Sequence, residues 1–261
     1  MTVLDQAALI HQAAEEHFGI KVDQSDVKRL QEYMRKTYGR EDANIINKVF
    51  SSGEAAGFLT VNETYFFREP AHFSFLWNML PSFADTGIRI CSAAVAVGCE
   101  AYSIAMLIET YNKSAEKPLR YHIDAFDLNP KVIEAACNGI YSERTLREDG
   151  SSFRYMTVPY LKKLENGYQV NSSLKEHISF FKHNLMDALN RDAYDIVFFR
   201  NAFIYFLPHY RERILSNLSA VLKNDGILIT GVSETAGICH ANLDAKNQND
   251  VFYFQYVNRR E

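Results

Sequence analysis

The chain has 261 residues, 47% of them hydrophobic and 23% charged, with a formal net charge of −4. Such a composition supplies a sizeable core and excludes a generally disordered chain. The slight negative charge gives no overall basic field of the kind that attracts nucleic acid.

Four cysteines, at 91, 99, 137 and 239, form no CxxC pair and no Cys/His spacing typical of zinc. They read as reduced thiols of a cytoplasmic protein, and no metal is expected. The N-terminal stretch MTVLDQAALIHQAAEEHFG lacks the basic start and apolar run of a signal peptide. Nowhere do about 18 uncharged apolar residues follow one another, so no membrane span is expected.

The first 60 or so residues are helical in pattern, with no convincing strand. In DQSDVKRLQEYMRKTYGRED, Asp23 or Ser25 is placed to cap a helix that turns Leu30, Tyr33 and Met34 inward. Lys28 and Arg35 lie seven residues apart, as do Arg29 and Lys36, so each pair shares a helix face. That stripe is either a solvated charged face or a dock for an acidic partner.

From residue 88 the pattern changes to strands alternating with helices. IRICSAAV and YHIDAFD are short apolar runs separated by the helix EAYSIAMLIETYN. A helix follows Pro130, and then come the runs HISFFKHN and YDIVFFRN, the helix PHYRERILSNLSAVLK and the strand GILITGVSE; VFYFQYV closes the chain. Alternation of this kind predicts an α/β fold with a doubly wound, mainly parallel sheet, which binds ligands at the carboxyl ends of its strands. Residues 150–177 break the rhythm; Asn166-Gly167 within them predicts a small antiparallel insert.

The loop SAAVAVGCEA stands where a dinucleotide fold would place a glycine-rich turn, yet it holds one glycine, Gly98. Several glycines are needed to crowd backbone amides round a pyrophosphate, so a phosphate-bearing cofactor and a nicotinamide dehydrogenase are disfavoured. S-adenosyl-L-methionine needs less: close backbone approach for its tail and an acidic acceptor for its ribose. Asp127 ends the second strand, 29 residues beyond Gly98. It is either that acceptor or a cap for the following turn.

Six further stretches occur in order: NETYFFREPAHF, SAAVAVGCEAYSIAM, AFDLNPKVIEAACNGIY, NLMD, FFRNAFIYF and LKNDGILITGVSE. Together they resemble the chemotaxis receptor methyltransferases, the CheR family, from about residue 20 to the end. The resemblance implies a class I S-adenosylmethionine-dependent methyltransferase, Rossmann-like, with a small helical domain and linker over 1–70. The cofactor domain would span 71–261, with its antiparallel β insert near 150–177. The implied reaction is methyl transfer to glutamate side chains of chemoreceptor cytoplasmic helices, releasing S-adenosyl-L-homocysteine. Carried over position by position, Asn62, Thr64, Arg68, Gly98, Glu100, Asp127, Asn184, Leu185, Arg200 and Asn201 are implied cofactor residues, and Arg68 and Tyr205 the catalytic ones. A cytoplasmic monomer is expected.

Two departures stand out. Where relatives carry something like STGEEPYS this chain has AVGCEAYS, so the hydroxyl pair is absent, the first glutamate is Cys99 and the proline is Ala101. The insert also lacks the longer glycine-containing loop of relatives that grip a receptor tether peptide, which implies tether-independent recognition.

A glutamate with a pKa near 4.3 is already ionised at neutral pH, so its methylation calls for alignment more than for acid–base help. Arg68 is suited to orient the incoming carboxylate with its planar fork; the alternative is an ion pair with Glu69 or Glu63. Tyr205 is suited to line the methyl pocket; the alternative is a core position among Phe203, Phe206 and Leu207. His72, His183 and His209 share no spacing and read as structural. A different class of function stays open: a binding module that keeps the fold but has lost turnover with the altered loop.

Overall fold

The computed structural model describes residues 3–60, 63–146, 153–189 and 193–258. Its first part is helical: α1 (Val3–Phe18), α2 (Gln24–Tyr38), α3 (Ala43–Ser51) and the short α4 (Ala56–Leu59). Asp23, and not Ser25, caps α2, accepting from the amides of Ser25 and Asp26 while the Asp26 side chain accepts from the Asp23 amide. Such a reciprocal cap satisfies donors a helix start leaves orphaned. Leu30 and Met34 are fully buried, as expected, whereas Tyr33 is half-buried and donates its hydroxyl to Glu54 at 2.6 Å. Ile10, Phe18, Leu30, Met34, Val49 and Phe50 form the heart of a separate core for α1–α4. Each such side chain contributes about 1.5–3 kcal/mol on burial.

The second part begins with α5 (Pro70–Met79) and continues as β1 (Ile88–Ala93), α6 (Cys99–Asn112), β2 (Tyr121–Asp127) and α7 (Pro130–Asn138). Then follow β3 (Ile140–Tyr141), α8 (Arg154–Thr157), β4 (Leu161–Leu164), β5 (Gly167–Val170), α9 (Ser172–Lys175) and β6 (Ile178–Lys182). The chain ends with β7 (Tyr194–Phe199), α10 (Pro208–Ser219), β8 (Leu222–Thr230), β9 (Leu243–Gln248) and β10 (Val251–Tyr256).

The main sheet has the order β6-β2-β1-β7-β8-β10-β9. Strands β6, β2, β1, β7 and β8 run parallel, while β10 and β9 close one edge as an antiparallel hairpin. This is the expected doubly wound α/β fold. Successive residues of a strand face opposite layers: Phe198 joins the core under α5 and α6, and Phe199 the core under α10. With both faces covered, the central strands read as continuous apolar runs, which is why they were legible.

A second sheet, β3-β5-β4, forms the antiparallel insert. It starts earlier than residue 150 because Ile140 and Tyr141 pair with Gln169 and Tyr168. Asn166 lies in the β4–β5 turn, where the Asn-Gly signal put it. Strand β9 was not foreseen; its sequence, LDAKNQ, is polar and exposed at the sheet edge.

The helical part joins the sheet part through main-chain bonds. Leu207 N donates to Gly19 O at 2.8 Å, and Lys21 N donates to Tyr205 O at 3.2 Å, flanking a bridge between Ile20 and Phe206. Among the described residues, no helix is long and apolar enough to cross a membrane.

Candidate active site

The parallel strands deliver their carboxyl ends to one edge of the sheet, and the loops there enclose a cleft of about 1030 Å³, space open to solvent included. β1 runs into Ala94–Ala96, β2 ends at Asp127, β6 leads to Asn184 and Leu185, and β7 to Arg200 and Asn201; all of these line the cleft. Thr64, Arg68, Glu100 and Tyr205 join them from neighbouring segments. Asn62 lies outside the described residues.

The β1–α6 loop is held in an unusual shape. Ala94 and Ala96 have φ of 57° and 51°, the left-handed region that costs an L-residue about 1–2 kcal/mol. Backbone bonds hold it there: Val95 N donates to Phe126 O at 2.9 Å and Ala96 N to Asp127 Oδ2 at 3.0 Å. The structure places Gly98 away from the cleft lining. It caps α6 with φ 89°, and a Cβ there would meet Ala136 Cβ at 2.9 Å and Phe180 at 3.2 Å. Its bareness serves the packing of α6 on α7 and β6. Cys99 is likewise fully buried; burial pushes its thiol up to about 12, and it shares a hydrogen bond with Thr64. The residue that differs from the family's first glutamate therefore does not face the cleft.

Asp127 caps the turn after β2 and also borders the cleft. Its Oδ1 accepts from Asn129 N at 2.9 Å, capping the turn, and its Oδ2 accepts from Ala96 N, while the carboxylate still borders the cleft. Burial pushes its carboxyl above the ordinary value of 3.8, although the amides of Asn129, Ala96 and Leu128 pull it back. With three amides on it, the carboxylate still has acceptor capacity for another donor.

Arg200 is a buried cation, its side chain 2% exposed. Its guanidinium meets Glu69 Oε2 at 3.1 Å and Glu100 Oε2 at 2.9 Å, donates to the Arg68 carbonyl, and lies 5.6 Å over the Phe73 ring. Two carboxylates against one guanidinium leave this cluster net negative when both are ionised. Burial pushes Glu69 up, but the charge of Arg200 and the Asn201 amide outweigh it and hold the carboxyl below its ordinary range. Buried His72, 3.2 Å from Glu69, is lowered to about 4, by desolvation first and by Arg200 second. It is neutral at neutral pH.

Other side chains position the loops. The Asn184 amide donates to His17 O at 2.7 Å and accepts from Met186 N at 3.0 Å, so it ties β6 to α1; Leu185 beside it offers an apolar surface. Asn201, with φ 57°, donates its amide N–H to Glu234 Oε2 at 2.6 Å and its side chain to Glu69 Oε1 at 3.1 Å. Buried Glu234 also accepts from Gly231 N and Ile204 N, and so holds the turn that carries Tyr205.

Arg68 donates to the Glu63 carbonyl at 2.6 Å and lies 5.9 Å over the Tyr65 ring. Neither carboxylate alternative describes it: Glu69 is engaged by Arg200 and Asn201, and the Glu63 bond is to its backbone. Tyr205 is half-buried: it borders the cleft and also packs against the core of the helical part. His183 lines the cleft too; its buried Nε2 has no hydrogen-bond partner among the described residues, and burial lowers its pKa.

Sequence reasoning missed Glu69 and Glu234 as organisers, although both lie inside stretches already singled out, FFRE and GVSE. It also missed Phe18, Ile20, Ala56 and Thr60, which line the cleft from the helical part. Nothing in a helical pattern marks such residues.

Known proteins resemble the chain in the same region. Residues 62–250 match the family described as CheR methyltransferase, SAM binding domain. The chemotaxis protein methyltransferase of Borreliella burgdorferi is 35% identical over 188 residues, covering 68% of this chain and 65% of that protein. The protein of the same name from Vibrio parahaemolyticus is 32% identical, covering 68% of this chain and 66% of that protein. That of Escherichia coli is 32% identical over 218 residues, covering 80% and 73%. The chain spans less than two thirds of the length of the first relatives it matches, from 43% to 66%. With the family match running from 62 to 250, the chain belongs to the CheR methyltransferase family.

Proposed function

We propose that this chain transfers a methyl group from S-adenosyl-L-methionine to glutamate side chains of chemoreceptor helices, giving methyl esters and S-adenosyl-L-homocysteine. The reading includes a division into a helical domain with linker over 1–70 and a cofactor domain over 71–261. The observation that carries it is the single cleft in which Asp127, Glu100 and Arg200 meet Arg68 and Tyr205.

The residues fit the cofactor. Asp127 has spare lone pairs on a partly desolvated carboxylate, which suits ribose hydroxyls. Phe126, Leu128 and Leu185 supply apolar surface for the base. The surplus negative charge of the Glu69–Arg200–Glu100 cluster suits the ammonium of the methionine tail, while the Arg200 guanidinium suits its carboxylate. Bound there, the cofactor supplies an electrophilic methyl on a sulfonium that is already a good leaving group.

What the protein does is positional. Arg68 receives the glutamate carboxylate on its free guanidinium edge, its other edge being fixed by the Glu63 carbonyl. A carboxylate held too tightly would gain nothing, since ground-state binding lowers no barrier. Tyr205 stands on a turn whose backbone is fixed from two sides, by Glu234 and by Lys21 N. It donates toward the attacking carboxylate and excludes water. Alignment of this kind supplies about 7–11 kcal/mol toward a bimolecular barrier.

The basic stripe on α2 is partly neutralised from within: Arg29 pairs with Asp26, Lys36 with Glu32 at 2.7 Å and Arg35 with Glu41 at 3.6 Å. Exposed pairs of this type are weak and exchange readily with a partner's carboxylates. The stripe therefore remains the proposed approach face for a glutamate-rich receptor helix. The test is calorimetry: S-adenosyl-L-homocysteine binds and NAD does not, and a folded protein silent toward both adenosyl ligands would refute the proposal.

A further inference from the structure

Three of the loops that form the cleft touch the helical part. Asn184 donates to His17 O, the Tyr205–Leu207 segment pairs with Gly19–Lys21, and the turn after Asp127 packs under the α3–α4 turn. The last contact is the tightest. Gly53, with φ 81°, sits so close that a Cβ would run into the Leu128 carbonyl oxygen and come within 3.4 Å of Pro130 Cδ. Four residues on, in α4, a Cβ at Gly57 would come 2.8 Å from Asn129 Nδ2. Ala56 and Thr60, beside these glycines, line the cleft.

We infer that Gly53 is a positioning residue that lets the helical part close on the loop carrying Asp127. The link is short and covalent. Leu128 and Asn129 follow Asp127 directly, and the Asn129 amide is one of the backbone donors on its carboxylate. A backbone carbonyl cannot swing aside as a flexible side chain can. Pushing Leu128 outward must carry the Asn129 amide with it and re-aim the Asp127 oxygens that face the cleft. The contact therefore governs cofactor affinity, although Gly53 itself touches no cofactor.

The inference rests on the cofactor reading of the cleft, and one set of titrations separates the two. S-adenosyl-L-homocysteine is titrated calorimetrically into the parent, Gly53→Ala, Gly57→Ala and Gly39→Ala, with circular dichroism confirming each fold. Gly39 is the matched control: its φ is 69°, yet nothing lies within 4 Å of a Cβ there, so it carries the backbone strain without the collision. Gly53→Ala should weaken binding about tenfold, Gly57→Ala at least threefold, and Gly39→Ala less than twofold. A folded Gly53→Ala that loses less than threefold, or a Gly39→Ala that loses as much, overturns the inference. Should Gly53→Ala fail to fold, Gly57→Ala decides by the same threefold threshold, because a helical alanine adds no left-handed strain. A parent that binds no ligand refutes the cofactor reading and this inference with it.

Discussion

Replacing Asp127 with alanine is the sharpest single perturbation, because the carboxylate serves both the fold and the cleft. In the free protein the substitution strands the Ala96 and Asn129 amides, which bond it at 3.0 and 2.9 Å. Bonds to a charged acceptor are each worth about 1.5–3 kcal/mol. Part of that loss is recovered, since burial disfavours the ionised form of Asp127. The expected net destabilisation is about 1–3 kcal/mol, read from urea unfolding. S-adenosyl-L-homocysteine affinity should fall by about 10- to 150-fold, the equivalent of one such bond to the ribose. A pH arm follows from the direction of the shift. Asp127 is raised above 3.8 in the folded state, so its ionisation weakens the fold at neutral pH. That penalty fades as pH falls through the folded-state value toward 3.8, and ligand affinity should fall over the same window as the charged acceptor is lost. An unchanged dissociation constant in a folded Asp127→Ala protein would remove Asp127 from the cofactor site.

Tyr205→Phe should lower methyl transfer to receptor far more than it lowers S-adenosyl-L-homocysteine affinity; equal losses in single-turnover kinetics and calorimetry would place the hydroxyl on the cofactor instead. His72, lowered from 6.5 to about 4, stays neutral in the folded protein while the unfolded chain takes up a proton. Stability should therefore be lost as pH falls from 6.5 to about 4, by up to roughly 3 kcal/mol, and His72→Gln should flatten that slope in urea midpoints. Reversing Arg35 and Lys36 to Glu should raise the apparent KM for receptor and reduce its salt dependence, with cofactor affinity unmoved; normal receptor methylation at low salt would reduce the stripe to a solvated face.

The sheet was legible because strands buried on both faces are largely apolar, as the IVFF run of β7 is. Strand β9 was not, because LDAKNQ lies at an exposed edge and its pairing comes from the hairpin with β10. The cleft was legible where one residue's chemistry suffices, as with the strand-end acid Asp127. It was less legible where the role belongs to a contact between distant residues. Gly98 was assigned to the cofactor, yet the space it leaves is filled by Ala136 and Phe180, 38 and 82 residues further on. Nothing local to Arg200 announces that Glu69 and Glu100 cage it. Cys99 looked like damage to the loop, whereas the side chain points into the core. The wall supplied by Phe18, Ile20, Ala56 and Thr60 depends on how two parts of the chain pack, which no periodicity records.

The central claim is that this cleft passes a methyl group to a receptor carboxylate. The direct measurement is incubation of the protein with S-adenosyl-L-methionine labelled in its methyl group and membranes containing chemoreceptors. The account predicts label in the receptor band that is released as methanol by mild base, the mark of a glutamate methyl ester, and its loss with Arg68→Ala. Absence of label from receptors in the presence of a protein that binds S-adenosyl-L-homocysteine, or label that resists base, would contradict it.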